Sequence, residues 1–413
     1  MINLKVIVKS TAGLDVHKKI VVCTTRHLQE DGETVTKETR DFRTFPGDLV
    51  KLRMWLESKE IEVAVMESTS IYWKPVYAAI EESSFRVMVV NARHVKAVPG
   101  RKTDVIDSDW LATLVSFGLL RPSFIPNRDL REIRIITRYR RKLSQMLGSE
   151  KNRLHKILED CGIKLGCVVS DIDGVSAREM IESIIGGNHK PDEIAKLARG
   201  RLKKKVDDLR LSMSIEISDR HRFLLQQIQN HMVQITEEMK IINDQVVASM
   251  MPYQDEWQLL QTIPGIDEMG AAMLLAEIGI DMGQFSSKNR FCSWAGMCPG
   301  NNSSAGKRKS GRTTKGNAYV KSLLCEFANS ARKTKTQFKS RFDGLVIRRG
   351  YKKAIVALGH RILEVVFILL KNKIPYKEPD MNYEELVVKR NAPRWIRKLK
   401  EFGLLPKNQT AKV

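Results

Sequence analysis

Four carboxylates near the start of the chain have the types and surroundings that phosphodiester chemistry needs. Asp15 lies in Gly13-Leu14-Asp15-Val16-His17, and Glu67 ends the apolar run Val63-Ala64-Val65-Met66. Asp104 and Asp107 stand three apart at the start of a helical pattern. Two-metal chemistry needs several carboxylates around divalent ions roughly 4 Å apart, one ion beside the attacking oxygen and one beside the leaving oxygen. Mg2+ prefers oxygen ligands and keeps part of its water, so Mg2+ is the expected ion. Two adjacent strands that each end in an acid place both at one sheet edge. An i, i+3 pair on a helix laid over that edge completes the set. Taken singly, each acid has an ordinary reading: Asp104 as a helix cap, Asp15 as a turn residue at a strand end. Four of them in this order favour the metal site. Asp109 falls on another helix face and reads as a surface residue; His17 reads as a local neighbour of Asp15.

A second cluster lies far along the chain. The loop Pro299–Asn317 reads P-G-N-N-S-S-A-G-K-R-K-S-G-R-T-T-K-G-N. It carries Lys307, Arg308, Lys309, Arg312 and Lys315 and no acid. Glycines let a backbone pass close to phosphates, and the cations neutralise them. A serine here can attack phosphorus if its proton is removed and the developing charge is stabilised. On chemistry alone, a phosphate-holding loop with incidental serines is the stronger reading. Upstream, Ile263-Pro264-Gly265-Ile266 precedes an Ala/Leu-rich helix and reads as a helix-hairpin-helix-like element. Its Gly265 turn is expected to offer backbone amides to a DNA phosphate.

The elements that must position these groups follow from the pattern of the chain. Residues 1–125 read as α/β: three strands near 5–15, 19–25 and 34–43, a helix from Pro46, a strand over 62–66, a helix over 72–82, a strand over 85–90 and a helix over 104–119. Residues 126–250 read as all-helical. There Leu225, Ile228, Met232, Ile235, Met239, Ile242 and Val246 form an unbroken a/d seam. That seam fits either one face of a helical hairpin within the chain or a dimerising coiled coil. The stretch 170–211, with the basic run Arg199–Lys205, reads as a solvated excursion. Residues 251–376 form a further, mostly helical domain with an apolar helix over 346–376, and 377–413 a polar, basic tail.

Composition narrows the partners. With 70 Lys+Arg against 48 Asp+Glu over 413 residues, the formal charge is +22. Such a surface implies an anionic partner, nucleic acid first and a membrane surface second. No apolar stretch reaches the roughly 18 residues of a membrane span, and the first residues lack a secretory signal, so a cytoplasmic protein with no membrane partner is expected. The six cysteines show no zinc-site spacing and read as reduced thiols.

Three meandering strands followed by αβαβα is the order of the ribonuclease-H-like fold, which this region resembles. The motifs go further. G-L-D-V-H-K around Asp15, E-S-T-S-I-Y-W around Glu67, T-D-V-I-D-S-D-W-L-A around Asp104 and Asp107, I-P-G-I, and W-A-G-M-C-P before the serine loop occur together in order. This set resembles the DEDD-type transposases of bacterial insertion sequences, related to pilin-gene invertases. The resemblance implies a RuvC-like N-terminal domain carrying the acidic tetrad and a C-terminal transposase domain carrying a catalytic serine. That serine attacks DNA to form a phosphoserine link, and strands are exchanged through a four-way junction. It also implies donor and target DNA as substrates, a structured non-coding guide RNA, and a homodimer assembling to a tetramer, which favours the coiled-coil reading of the seam. By spacing from Trp294-Ala295-Gly296-Met297-Cys298-Pro299, the family's serine falls on Ser304, with Ser303 one residue away as its rival. The other functions weighed are a RuvC-like junction nuclease without serine catalysis and a non-catalytic nucleic-acid scaffold.

Overall fold

The computed structural model describes residues 5–68, 70–92, 95, 104–188, 190–300, 302–304, 307–379 and 383–405, with the side chains of 104–106, 302–304, 307–310, 383–384 and 386–387 left outside the description. The chain divides into two compact units, Met1–Arg128 and Asp129–Val413.

The first unit is built on a five-stranded sheet in the order β3-β2-β1-β4-β5. Strands β1 (Ser10–Val16), β2 (Ile20–Leu28) and β3 (Val35–Arg43) meander antiparallel, whereas β4 (Val63–Glu67) and β5 (Arg86–Val90) run parallel to β1. Central β1 and β4 are buried along most of their length because both faces of the sheet are covered. Helices α1 (Pro46–Ser58) and α2 (Trp73–Ile80) close one face through Leu52, Trp55, Leu56, Val76 and Ile80. Helix α3 (Asp104–Ser116) closes the other with Leu111, Leu114 and Val115 against Val63, Val65 and Met88. Strand β3 is the polar edge; its Lys37, Glu38, Arg40 and Arg43 make it a poor template for another chain. The first strand is shorter than the pattern over 5–15 suggests. Ile7 and Val8 donate their amides to the Ser116 carbonyl instead of joining the ladder.

The second unit is helical apart from one hairpin. Long α4 (Arg128–Asp160) and α9 (Asp219–Ser249) enclose five short helical pieces: α5 (Leu165–Val168), α6 (Val175–Ile185), α7 (Pro191–Ala195), a 3-10 turn (Gly200–Lys205) and α8 (Val206–Ser212). The expectation of a solvated excursion over 170–211 is wrong. Met180, Ile181, Ile184, Ile194, Ala195 and Leu209 form one core with Leu154 and Leu158 of α4 and Leu225, Ile228 and Met232 of α9. Single apolar residues spread over short helices carry little periodicity, which is why the pattern misleads. The charged residues of the basic run stay at the surface, while its Leu202 packs against this core. The a/d seam is therefore used inside this one chain at its N-terminal half, and Ile235 and Val246 are buried as well.

The C-terminal half continues through α10 (Gln254–Gln261), α11 (Glu268–Ile278), α12 (Lys288–Trp294), the hairpin β6–β7 (Asn302–Ser304, Lys307–Ser310), α13 (Ala318–Ala331), α14 (Gln337–Arg349), α15 (Tyr351–Asn372) and α16 (Tyr383–Glu401). The apolar helix expected over 346–376 starts at Tyr351, because Gly350 adopts φ +74° and separates it from α14. The basic tail is not featureless: α16 lies in it and lines a cleft of about 880 Å³ with α14. No helix among the described residues is long and apolar enough to cross a membrane.

Candidate active site

Strand register brings two of the four carboxylates to one sheet edge. Leu14 pairs with Met66 across parallel β1 and β4. Asp15 and Glu67 each follow by one residue, so they end neighbouring strands at the same level. Neighbouring strands lie about 4.8 Å apart, the scale of a shared ion site. Glu67 in turn pairs with Val90 of β5. The Asp15 carboxylate is about one-fifth exposed, and its Oδ2 lies 3.1 Å from Nε2 of His17, a local contact.

The helix bearing the other two acids packs closely on β1 because Gly13 allows it. A Cβ on Gly13 would sit 1.9 Å from the Ser108 carbonyl oxygen and 2.7 Å from the Ala112 nitrogen. Ser108 is fully buried and shares a 2.7 Å hydrogen bond with the Thr24 hydroxyl of β2. Thr11 of β1 donates its hydroxyl to the Ala112 carbonyl at 3.1 Å. Asp107 directly precedes Ser108, whose carbonyl meets β1 at Gly13, two residues before Asp15. Asp104 lies one helical turn earlier, at the start of α3; its side chain is outside the described residues.

Gly13→Ala is expected to push α3 off the sheet and cost about 2–4 kcal/mol. Hydrogen exchange checks this: protection should drop over 10–16 and 104–116 and hold over 254–278. Unchanged protection would show that the helix need not approach this closely.

Asp109 has a role that its helix face concealed. It takes Lys37 Nζ at 2.7 Å and Arg26 Nη1 at 3.4 Å, pinning α3 to β2 and β3. These partners are far away in sequence, so only strand pairing reveals them.

The serine segment is a β-hairpin, not the open loop its glycines and serines suggest. Ser304 pairs with Lys307 at the closed end, Ser303 with Arg308, and Asn302 with Ser310, with an irregularity between Asn302 and Ser303. The ladder continues below: Pro299 bridges Thr313, Gly300 donates to the Arg312 carbonyl at 2.8 Å, and Thr314 to the Cys298 carbonyl at 3.1 Å. Arg312 and Lys315 are exposed; the side chains of Ser303, Ser304, Lys307, Arg308 and Lys309 lie outside the described residues.

Its base is held by backbone against backbone. A Cβ on Gly316 would lie 2.2 Å from the Gly296 nitrogen and 2.5 Å from the Trp294 carbonyl oxygen. Gly296 itself has φ +73°. Burial, with Glu364 nearby, holds the Cys298 thiol above its ordinary range, so it stays protonated near neutrality.

Directly after the hairpin, Asn317 caps α13, accepting from the amides of Tyr319 and Val320. It also donates Nδ2 to Glu277 Oε2 at 2.7 Å. Glu277 is almost wholly buried at the end of α11 and takes a two-pronged bond from Arg138, at 2.7 and 2.9 Å. Arg134 donates to the Ala276 and Glu277 carbonyls. Burial lowers the Arg134 guanidinium to about 10, against the raising effect of Glu277, so it stays charged at neutral pH. The sequence offered one overlooked signal: a lone acid inside the apolar run Ala271–Ile278.

Gly265 occupies the turn between α10 and α11 with φ +93°, and a Cβ there would meet the Ala331 backbone at 2.6 Å. Close packing on the end of α13 therefore accounts for this glycine within the fold. Asp267 caps α11 through the Gly270 amide at 2.9 Å.

Asp15, Glu67 and Asp107 offer only oxygen donors, the set that a hard divalent ion takes. Among the described residues no three His, Cys, Asp or Glu side chains form a ready ion site, the Asp104 side chain being outside them.

Comparison with known proteins points the same way. Residues 12–163 match the DEDD transposase family of IS110 elements, and residues 257–343 match the transposase IS116/IS110/IS902 family. A probable family 20 transposase of Pseudomonas aeruginosa is 30% identical over 125 residues, 29% of this chain and 37% of that relative. The transposase for insertion sequence element IS1111A of Coxiella burnetii is 30% identical over 128 residues, 30% of this chain and 35% of the relative. The chain thus spans little more than a third of the length of the curated relatives it matches.

Proposed function

We propose, from the premise that this chain belongs to the IS110/IS116 family of transposases, that it cuts and rejoins DNA for an insertion element by serine chemistry supported by a divalent metal. The observation that carries the reading is the register Leu14↔Met66, which sets Asp15 and Glu67 side by side at one edge of a ribonuclease-H/RuvC-like sheet. Asp15, Glu67, Asp104 and Asp107 would hold Mg2+, and bound Mg2+ supplies Lewis-acid stabilisation of charge on phosphate oxygens.

The protein's own residues carry the rest. The Ser304 hydroxyl gives up its proton and bonds to phosphorus while the bond from phosphorus to the leaving strand's oxygen breaks. That oxygen leaves as a hydroxyl, taking up a proton. The phosphoserine ester conserves the bond energy, so a hydroxyl of another strand displaces the serine and restores it. Lys307, Arg308, Lys309, Arg312 and Lys315 bind and neutralise the phosphate backbone, the Gly265 turn adds amides, and donor and target DNA are the substrates. Sequence choice belongs to a structured guide RNA encoded beside the gene, and the working form is a homodimer that pairs into a tetramer. The second reading, a RuvC-like junction nuclease, uses the same carboxylates without the serine.

One assay separates them. Labelled duplexes carrying the element's ends and an insertion site are incubated with the protein and the transcript of the flanking non-coding DNA. We expect a denaturant-resistant protein–DNA adduct that disappears with EDTA. Cut products with neither joining nor adduct favour the nuclease, and product formation indifferent to EDTA removes the metal.

A further inference from the structure

We propose that Asn317 and Glu277 are positioning residues that set the serine hairpin on the helical scaffold; this rests on the serine reading above. The hairpin's returning strand runs through Thr313 and Gly316 straight into Asn317, so the orientation of that residue is handed to the hairpin base. Asn317 does two separable things. Its Oδ1 caps α13 through Tyr319 and Val320, and its Nδ2 reaches Glu277 on α11 at 2.7 Å.

Glu277 is in turn locked from α4. Arg138 grips both carboxylate oxygens and lies 4.2 Å from the centre of the Tyr319 ring, the second residue of α13. Arg141 covers the same ring at 5.3 Å and donates to the Tyr319 carbonyl at 3.4 Å. Three helices therefore meet through one buried carboxylate at the point where the hairpin leaves the scaffold.

A buried ion pair is a poor device for stability alone, since apolar side chains of similar volume do as well or better. What it adds is direction: a planar guanidinium and a carboxylate fit in one geometry. Glu277 sits where that direction reaches the hairpin through a single amide hydrogen bond. A small error in the placement of a reacting group costs large factors in rate.

The test uses the full-length protein in the adduct assay, with thermal unfolding in parallel. Asn317→Ser keeps an oxygen that can cap α13 and removes the donor to Glu277. We expect an unfolding midpoint within about 2 °C of wild type and adduct formation slowed about tenfold or more, with DNA affinity changed less than about twofold. Asn317→Asp sets two carboxylates against each other and should be slower still. The inference fails if Asn317→Ser reacts at the wild-type rate or if rates merely track unfolding midpoints. Ser304→Ala and Ser303→Ala run alongside: an adduct surviving in both rejects the serine reading itself, a different outcome from a normal Asn317→Ser.

Discussion

Ser304→Ala is expected to abolish the covalent adduct, lowering its rate at least about 10³-fold, while DNA affinity changes by less than about threefold. The asymmetry follows from chemistry. On the proposed mechanism a hydroxyl is the bond-forming group, whereas affinity is expected to rest on the cations of the hairpin and the many basic residues elsewhere, each contributing through counterion release. The register makes the control informative. Ser304 pairs with Lys307 beside the closed end, and Ser303 sits one step back opposite Arg308. Ser303→Ala should therefore leave the adduct within a few fold of wild type. Gel shift under native conditions and adduct yield after denaturation give the two readouts. If the reverse holds, the nucleophile is Ser303; if both variants still form the adduct, serine attack is excluded.

Asp15→Asn is expected to lower cleavage about 10³-fold, with the fold intact. Loss of one charged ligand removes several kcal/mol of stabilisation of transition-state charge, at about 1.4 kcal/mol per factor of ten. The substitution keeps size and hydrogen-bonding capacity on a strand whose neighbours Leu14 and Ala12 are fully buried, so misfolding does not explain such a loss. Asp109→Asn is the matched control. That residue is a clamp to Lys37 and Arg26, about one-third exposed, and its loss should cost at most about 1 kcal/mol of stability and little rate. Equal losses in the two variants, or a wild-type rate for Asp15→Asn, would count against a metal site at this edge.

How much of this was legible in the sequence varies with how local the cause is. The strands, their order along the chain and Glu67 at a strand end were readable, because β-branched runs and turn residues act over a few positions. The register that sets Asp15 beside Glu67 was expected only from the acids themselves; nothing in either strand alone states which residue faces which. The insert 170–211 was misread because its core is assembled from α4 and α9, distant in sequence. The hairpin hid in a stretch rich in Gly, Ser and Lys, residues of weak strand preference, held instead by backbone pairing from Cys298 to Thr314. Glu277 escaped notice because Arg134 and Arg138 look like ordinary surface charges on a long helix, and only the folded chain brings them to α11.

Main chain meets main chain where Gly296 and Gly316 touch, and no side-chain identity enters that contact. Just above that contact Met297 is buried beside Gly359, and Thr313 accepts from Lys321, so side chains begin to matter at once. Only the tip beyond the Pro299–Thr313 bridge is fastened like an exchangeable cartridge, and tips exchanged there should leave the helices undisturbed.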